Sequence, residues 1–389
     1  MPDLKDVYDA RIPNLRNYAS QDYVRPTLRQ LFTNMPPKYS PTISYVNPYE
    51  TLTFGLTSTL TAAGANATSC IELPDNKAMV FFADSEFNSG ANVTYSIIDN
   101  NNNILTDKVH IANSSNLGVS DCVELGNGNI LVGYRSNMTA RGIVVNTAGE
   151  VVVADKAISS VHYSTIGVTA LTGGGAVVAG YDSNNVLMFD ILDNSANIVV
   201  SETVTATNTS TTDVVGLADG NFMLLYADTD NGGALTYQVY TSIGTQIVGA
   251  TVLDSIAAGG GASNEMIDAI VLQNNNVGIC YAHNGVPYFM IVNQSGGVVV
   301  NAIQLSAFGF SYVTCSLLPN GNVFVAWRGT STWRYSVVAS DGTILKASDV
   351  NISGSAYGID SSVFTNGDVL VIYYNFSDSL KLTSKIAKV

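Results

Sequence analysis

Residues 318–327 read LPNGNVFVAW, and they decide the fold of this 389-residue chain. The Asn-Gly pair provides the positive φ that a tight hairpin turn needs. The run after the pair is apolar at nearly every position, which is typical of a strand that is covered on both faces. The stretch therefore predicts two strands of a layered β structure joined by a tight turn.

The same phrase, Leu-x-x-Gly-x-apolar-apolar-x-x-aromatic, recurs along the chain. It reads LGNGNILVGY at 125–134 and LADGNFMLLY at 217–226. With weaker copies included, its final aromatic residue occurs seven times, at Phe82, Tyr134, Tyr181, Tyr226, Tyr281, Trp327 and Tyr373. After each aromatic residue the pattern predicts a third strand, a second turn and a fourth strand. Four strands in a repeat of about 45–50 residues are typical of propeller blades. The sequence therefore predicts an all-β fold, a seven-bladed β-propeller of four-stranded antiparallel blades.

The seventh repeat ends at Val389 after only three predicted strands. Residues 51–60, TLTFGLTSTL, stand where a fourth strand would precede the first repeat. We expect this segment to close the ring by pairing with the C-terminal blade, which would also remove an exposed sheet edge. The alternative is an independent strand or loop. The propeller domain is accordingly assigned to residues 51–389.

Residues 1–50 share nothing with the repeat and hold seven of the ten prolines. One short helix is expected within this N-terminal, otherwise extended arm, from about Ser20 to Asn34, where Pro26 limits the first turn. The arm either straps along the side of the propeller or docks into a larger assembly, and we favour docking. The side chains expected to dock are apolar or aromatic: Tyr23, Leu28, Leu31 and Phe32.

Charge is distributed unevenly between these two parts. The net charge is −14; residues 1–50 carry six Lys/Arg against five Asp/Glu, and residues 51–389 carry 11 against 26. An acidic body argues against nucleic acid as the main ligand, because phosphate binding needs basic stripes. No apolar run is long enough to span a membrane. The N-terminus shows no apolar signal region, so we expect no cleavable signal peptide.

Residues suited to catalysis are few. His110, His162 and His283 occupy different repeat positions, and no metal-binding histidine motif or GxSxG phrase occurs. Three of the four cysteines, Cys70, Cys122 and Cys315, lie three residues before the Leu of their repeat. We interpret them as buried thiols near the propeller axis, with a thiol or metal cluster there as the alternative.

Two weak binding sites remain as candidates. Arg135 and Arg328 directly follow the repeat aromatic on separate blades, so they should lie at the same end of the ring, where they would pair with nearby carboxylates or bind a ligand. Asp228 and Asp230 precede a glycine with alternate spacing, which permits a Ca²⁺ site but lacks the bidentate Glu of an EF-hand loop. No other cofactor is expected.

The repeat resembles generic propeller repeats of bacterial and phage surface proteins, and the arm resembles the N-terminal arms of phage virion proteins. These resemblances imply a non-enzymatic structural or attachment protein of a virion, present in several copies. Its arm would bind other assembly proteins, and its propeller would serve assembly or bind a host receptor or glycan. The alternative is a glycan-active enzyme or lectin. Sialidases are propellers with arginine clusters, but their Ser-x-Asp-x-Gly-x-Thr-Trp box is only echoed at 340–343.

Overall fold

A computed structural model describes residues 53–388 apart from several short segments. Those segments are residue 56, 61–65, 85–91, 114–117, 138, 163–165, 258–266, 284, 308–310, 330–331, 347–355 and 376–380. The chain divides between Asn47 and Pro48, and the expected arm helix lies outside the described residues. No helix in the described part has the length and apolarity that a membrane crossing requires.

The described residues form seven antiparallel sheets, which we number as blades in chain order. Blade 1 contains β3 (Asn66–Leu73), β4 (Lys77–Asp84), β5 (Asn92–Asp99) and β6 (Ile104–Asn113), after the short strands β1 (Thr53–Phe54) and β2 (Ser58–Thr59). Blade 2 contains β7 (Gly118–Glu124), β8 (Ile130–Ser136), β9 (Thr139–Val145) and β10 (Val151–His162). Blade 3 contains β11 (Gly167–Ala170), β12 (Ala176–Tyr181), β13 (Leu187–Leu192) and β14 (Ile198–Ala206).

The remaining four blades repeat this order. Blade 4 contains β15 (Thr209–Gly216), β16 (Phe222–Asp228), β17 (Ala234–Tyr240) and β18 (Gln246–Ala257). Blade 5 contains β19 (Ile267–Val271), β20 (Val277–His283), β21 (Val286–Val292) and β22 (Val298–Gln304). Blade 6 contains β23 (Ser311–Leu317), β24 (Val323–Arg328), β25 (Trp333–Val338) and β26 (Ile344–Lys346). Blade 7 contains β27 (Ala356–Val363), β28 (Val369–Asn375) and β29 (Lys381–Lys388), joined by β1 and β2.

The first strand of every blade lies next to the first strands of both neighbouring blades, and β27 returns to β3. The first strands therefore surround the axis of a closed ring. This arrangement confirms the predicted seven-bladed, all-β propeller.

The N-terminal segment of the described chain completes blade 7. Thr53 and Phe54 pair with Lys388 and Ala387, and Ser58 and Thr59 pair with Ser384 and Thr383. Between the two pairs β29 advances one residue less than the N-terminal segment, so the pairing contains a bulge. Two short strands, rather than one continuous strand, thus cover the outer edge of β29.

The core lies between the blades. Each second strand is buried along nearly its whole length, as in β12 and β16. All seven repeat aromatic residues are buried. Five of them belong to the apolar clusters between successive blades: Phe82, Tyr134, Tyr281, Trp327 and Tyr373. The apolar second strand of the repeat therefore has the expected cover on both faces.

The repeat turn of blade 2 differs in one detail from the expected two-residue turn. In the turn of blade 2, the Gly128 N–H donates to the Leu125 carbonyl, and Gly128 alone adopts positive φ, at 78°. The Asn127 side chain accepts from the Asn129 N–H over 3.1 Å. This is a type I turn followed by a left-handed glycine, in which Asn supplies a side-chain bond rather than a positive φ.

The fourth strands from β6 to β26 are irregular. Each pairs with the third strand of its blade through register shifts. Bulged edge strands twist away from a regular ladder, which discourages pairing with the edges of other molecules.

Phe54 is the side chain that most directly ties the closing segment to the core. Its ring lies 5.3 Å from the Trp333 ring and 5.2 Å from the Tyr335 ring, both in edge contacts, and it packs on the cluster between blades 6 and 7. Edge-to-face aromatic contacts add to the free energy gained from burying the ring.

We predict that Phe54→Ala lowers the free energy of unfolding by roughly 2–3 kcal/mol, because the ring is partly buried among aromatic partners. Urea denaturation measures this change. Ile243→Ala is the matched control, since that side chain is 73% exposed and its loss should cost less than about 0.5 kcal/mol. Equal effects of the two substitutions would show that the closing segment does not hold the ring.

Candidate functional site

One position of the innermost strands carries polar side chains around the axis. It lies four residues before the Leu of each repeat, or before Phe364 in blade 7, and we call its seven members the axial belt. The members are Ser69, Asp121, Gly167, Asp213, Asp268, Thr314 and Asp360. The four aspartates come from blades 2, 4, 5 and 7.

Each aspartate of the belt accepts a backbone N–H from the first strand of the next blade. The Asp121 carboxylate accepts from Val168 over 2.9 Å, and the Asp268 carboxylate accepts from Cys315 over 2.6 Å. The other two acceptors follow the same rule: Asp213 accepts from Ala269, and Asp360 accepts from Cys70 over 2.9 Å. These N–H groups point away from the second strand of their own blade, so without the carboxylates they would lack a ladder partner.

The three remaining belt positions contact the next blade in other ways. The Ser69 hydroxyl lies 3.3 Å from the Cys122 sulfur, and the Thr314 hydroxyl lies 3.2 Å from the Ser361 hydroxyl. At Gly167 a Cβ atom would meet an Asp213 oxygen at 3.3 Å. The belt is thus continuous around the ring, with glycine where the neighbouring carboxyl needs room.

Burial raises the pKa of every belt aspartate. Desolvation is the largest cause in each case, and repulsion from other belt carboxylates adds to it at Asp121, Asp213 and Asp268. The pKa of Asp121 rises to about 8 and that of Asp268 to about 7, while those of Asp213 and Asp360 move in the same direction. Accepted N–H bonds oppose these shifts but do not cancel them. The carboxyl groups of the belt therefore stay protonated to a higher pH than usual, unless a nearby cation stabilises their ionised form.

The cysteines surround the same axis and form two groups. Cys70 and Cys122 lie on blades 1 and 2, close enough to influence each other's ionisation. Cys280 and Cys315 lie on blades 5 and 6 and share a hydrogen bond. All four are free and buried, and their thiol pKa values are raised. The thiols near the axis are therefore protonated at neutral pH.

The two faces of the ring are built differently. One face carries the repeat turns after the first strands, and we call it the turn face. The opposite face carries the second hairpin of each blade and the connections between blades, and we call it the connector face. Those connections differ in length and sequence, from 207–208 to 258–266. Variation of the kind that specific recognition needs is concentrated on the connector face.

All four predicted binding residues lie at the connector face, spread over three blades. Arg135 and Arg328 pair with Gly118 and Ser311, the first residues of the innermost strands of blades 2 and 6. Asp228 ends β16 of blade 4, and Asp230 follows it. The expectation of a common end for the two arginines agrees with this register, although the blades that carry them are not adjacent.

Asp228 and Asp230 have hydrogen-bond partners within their own turn. The Asp228 carboxylate accepts from the Asp230 N–H over 3.1 Å and from the Asn231 amide over 2.6 Å, and it caps a 3-10 turn at Thr229–Asn231. The Asp230 carboxylate accepts from the Asn208 amide over 2.8 Å. This pattern explains the two aspartates as turn-forming residues, and the calcium site stays a prediction.

The arginines of the propeller are engaged in packing and pairing. The Arg328 guanidinium lies 5.7 Å from the centre of the Tyr312 ring. Arg141 holds Asp155 with two hydrogen bonds of 2.8 Å, and Tyr134 donates a further bond to the same carboxylate. Arg135 is half-buried at its strand end. No group of three arginines around one carboxylate-sized space is formed by these contacts in the described residues.

The histidines and the docking residues singled out in the sequence form no part of the axial belt. His110 is exposed on β6, and His283 lies 5.9 Å from Tyr288 in an edge contact. The docking residues Tyr23, Leu28, Leu31 and Phe32 lie outside the described residues.

The sequence reasoning missed the belt aspartates. A signal was present, because three of the cysteines had been placed on the repeat and the belt position directly precedes them. Asp121 stands before Cys122, and Asp360 occupies the same place in blade 7. Cys280 carried no such signal, since it lies on a second strand.

Comparisons with known proteins support the fold alone. No protein-family model matches the chain, and no curated protein matches it. Among solved structures it is similar to a streptogramin B lyase, with a TM-score of 0.57 and 12% identity over 86% of this chain and 98% of the other. It is also similar to a Penicillium chrysogenum alpha-L-arabinanase complexed with arabinobiose, with a TM-score of 0.50 and 10% identity over 86% of this chain and 98% of the other. For a mutant of the Aleuria aurantia lectin in complex with Fucalpha1-6GlcNAc, the TM-score is 0.51 and the identity 12%, over 78% of this chain and 99% of the other.

The belt predicts an unusual dependence of stability on pH. Asp121 ionises near pH 4 in the unfolded chain and near pH 8 in the fold, so the folded state binds more protons between these values. We predict that the free energy of unfolding falls by at least about 2 kcal/mol as pH rises from 5 to 8 in metal-free buffer, since each pKa unit is worth about 1.4 kcal/mol. Asp121→Asn should flatten this slope. A wild-type stability that is constant or increases over the same range would contradict the assignment.

Proposed function

We propose that this chain is a non-enzymatic attachment protein of a phage-type particle. Residues 1–50 anchor it to other assembly proteins, and the propeller presents its connector face to a host receptor or glycan. The protein acts in several copies within the particle. Two lines of argument support this proposal, one from the completeness of the ring and one from the distribution of its polar residues.

The observation that carries the proposal is that all seven blades are complete without residues 1–50. The closing strands begin at Thr53, and every sheet already has its four-strand path or, in blade 7, two short strands in place of the fourth. None of the strands that the structure describes comes from the first 50 residues, which hold most of the prolines and several tyrosines. Apolar and aromatic side chains of that kind favour binding to a partner surface.

The second line of argument concerns chemistry. In the part of the chain that the structure describes, the acidic and thiol groups that come together lie at the axis, within dense packing. The polar residues of the connector face, such as Arg135, Arg328 and Asp228, are spread over blades 2, 6 and 4. Separated polar residues on a rigid ring suit recognition through several loops better than catalysis, which needs convergent groups.

We predict that a variant lacking residues 1–50 keeps the thermal stability of the full chain but is not incorporated when it is expressed with the other proteins of its particle. The physical reason is that the deletion removes no blade strand and all of the proposed anchor. Incorporation is measured on purified particles, with the full chain as the control. Normal incorporation of the truncated chain would refute the anchoring role.

A glycan-active enzyme or lectin is the second candidate, favoured by the likeness in fold to the arabinanase and to the fucose-binding lectin. Under the main proposal a glycan bound by the chain is left chemically unchanged. We therefore predict no turnover of sialosides or arabinans by the full chain, with product formation as the readout. Turnover that is lost in Arg135→Ala or Arg328→Ala and kept in Ile243→Ala would establish the enzyme instead.

A further inference from the structure

Three potential metal ligands meet between blades 5 and 6. Asp268 lies on β19 of blade 5, Cys280 lies opposite it on β20, and Cys315 lies on β23 of blade 6. One carboxylate oxygen and the two sulfur atoms all lie within 4.8 Å of one another. Both cysteines are buried, whereas Asp268 keeps part of its surface exposed.

Strand geometry explains why these residues converge. Directly opposed residues of an antiparallel pair project to the same face of the sheet, so Asp268 and Cys280 share a face. Both cysteines belong to the apolar cluster between blades 5 and 6. The Cys315 N–H donates to the Asp268 carboxylate over 2.6 Å, and this hydrogen bond fixes blade 6 against blade 5. The cluster is thus built into the contact between blades.

The donor set and its spacing suit a thiophilic ion. Zn²⁺ binds thiolate at about 2.3 Å and carboxylate oxygen at about 2.0–2.2 Å, with tetrahedral geometry. Two sulfurs on such an ion are about 3.8 Å apart. The observed group therefore needs to contract by about 1 Å at most. Hard ions such as Mg²⁺ and Ca²⁺ prefer oxygen ligands, so two sulfurs disfavour them.

The surroundings of the group attract a cation. Ionised Asp213 opposes ionisation of both thiols, and ionised Asp360 opposes ionisation of Asp268, so these groups can carry negative charge together only beside a cation. One oxygen of Asp213 is buried and has no hydrogen-bond partner. Buried carboxyl groups of this kind are stabilised when a positive charge lies nearby.

We propose that Asp268, Cys280 and Cys315 form a binding site for a thiophilic divalent cation of the Zn²⁺ class that joins blades 5 and 6. Three protein ligands leave the fourth position to water. Binding converts both thiols to thiolates and releases their two protons to solvent. The site is independent of the attachment role proposed above.

The other cysteine group provides a matched control. Cys70 and Cys122 also come from adjacent blades and are also buried. The Cys70 thiol has the Asp360 carboxylate beside it, whereas the Cys122 sulfur lies 3.3 Å from the Ser69 hydroxyl. Among the described residues, the group of Asp268, Cys280 and Cys315 is the one whose ligand atoms come together. Cys122→Ser should therefore leave the proposed site intact.

The test uses the full chain, made metal-free and kept reduced, and titrates it with Cd²⁺ as a spectroscopic substitute for Zn²⁺. We expect an ultraviolet thiolate-to-metal charge-transfer band that saturates at one equivalent, is displaced by Zn²⁺ and persists in excess Mg²⁺. The band should remain in Cys122→Ser and disappear in Cys280→Ser and Cys315→Ser. Absence of the band, or its persistence in the Cys280→Ser variant, would overturn the proposal.

A second measurement needs no variant, so it stands even if the substitutions prevent folding. Zn²⁺ is added to the wild-type chain in weakly buffered solution at pH 8, and the released protons are measured with an indicator dye. The proposal predicts about two protons for each bound ion, because both thiols are neutral before binding. Binding without proton release would show that the thiols are not the ligands.

Discussion

The structure depends on a hydrogen bond that runs from one blade to the next at the axis. The innermost strand of each blade is a sheet edge, and its outward N–H groups have no ladder partner. In four blades an aspartate of the preceding blade accepts one of these groups, as Asp121 does for Val168. At two other belt positions the hydroxyl groups of Ser69 and Thr314 contact side chains of the next blade. The ring is therefore joined at its centre by polar bonds and farther out by apolar clusters.

This solution has an electrostatic cost. Placing four carboxyl groups around one axis raises all four pKa values, mainly because water is displaced, and repulsion between the groups adds to the shift in three of them. Protons offset the cost at low pH, and a bound cation would do so at higher pH. The same crowding that favours proton uptake at Asp121 also favours an ion beside Asp268. The joining of the blades and the proposed ion binding thus have the same physical origin, the crowding of buried carboxyl groups at the axis.

Much of the fold could be predicted because its signals are local. Five of the seven repeat turns place a glycine, such as Gly128 or Gly321, in a left-handed conformation, and the apolar second strand must be covered on both sides. The ring-closing role of the segment around Phe54 followed from the missing fourth strand of the last repeat. The turn type was harder, since Asn127 uses its side chain rather than its backbone conformation.

The site was less predictable because it depends on contacts between blades. Whether Cys280 meets Cys315 is determined by the face to which each strand turns its side chains and by the register between neighbouring blades. Neither the face nor the register can be predicted from a local sequence pattern. The belt position also changes type around the ring, from Gly167 to Asp268 to Thr314, so that no single residue identifies it. The predicted binding residues Arg135 and Arg328 were placed at one end of the ring correctly, since equivalent strand positions do not depend on such contacts.

The central claim is that the carboxyl groups of the belt hold neighbouring blades together. Native-state hydrogen exchange of the backbone N–H groups of Cys70, Val168, Ala269 and Cys315 tests it most directly. If the belt bonds are intact, these four amides should exchange only through global unfolding, as slowly as amides in the buried second strands. Rapid exchange at these positions, with the second strands still protected, would contradict the account.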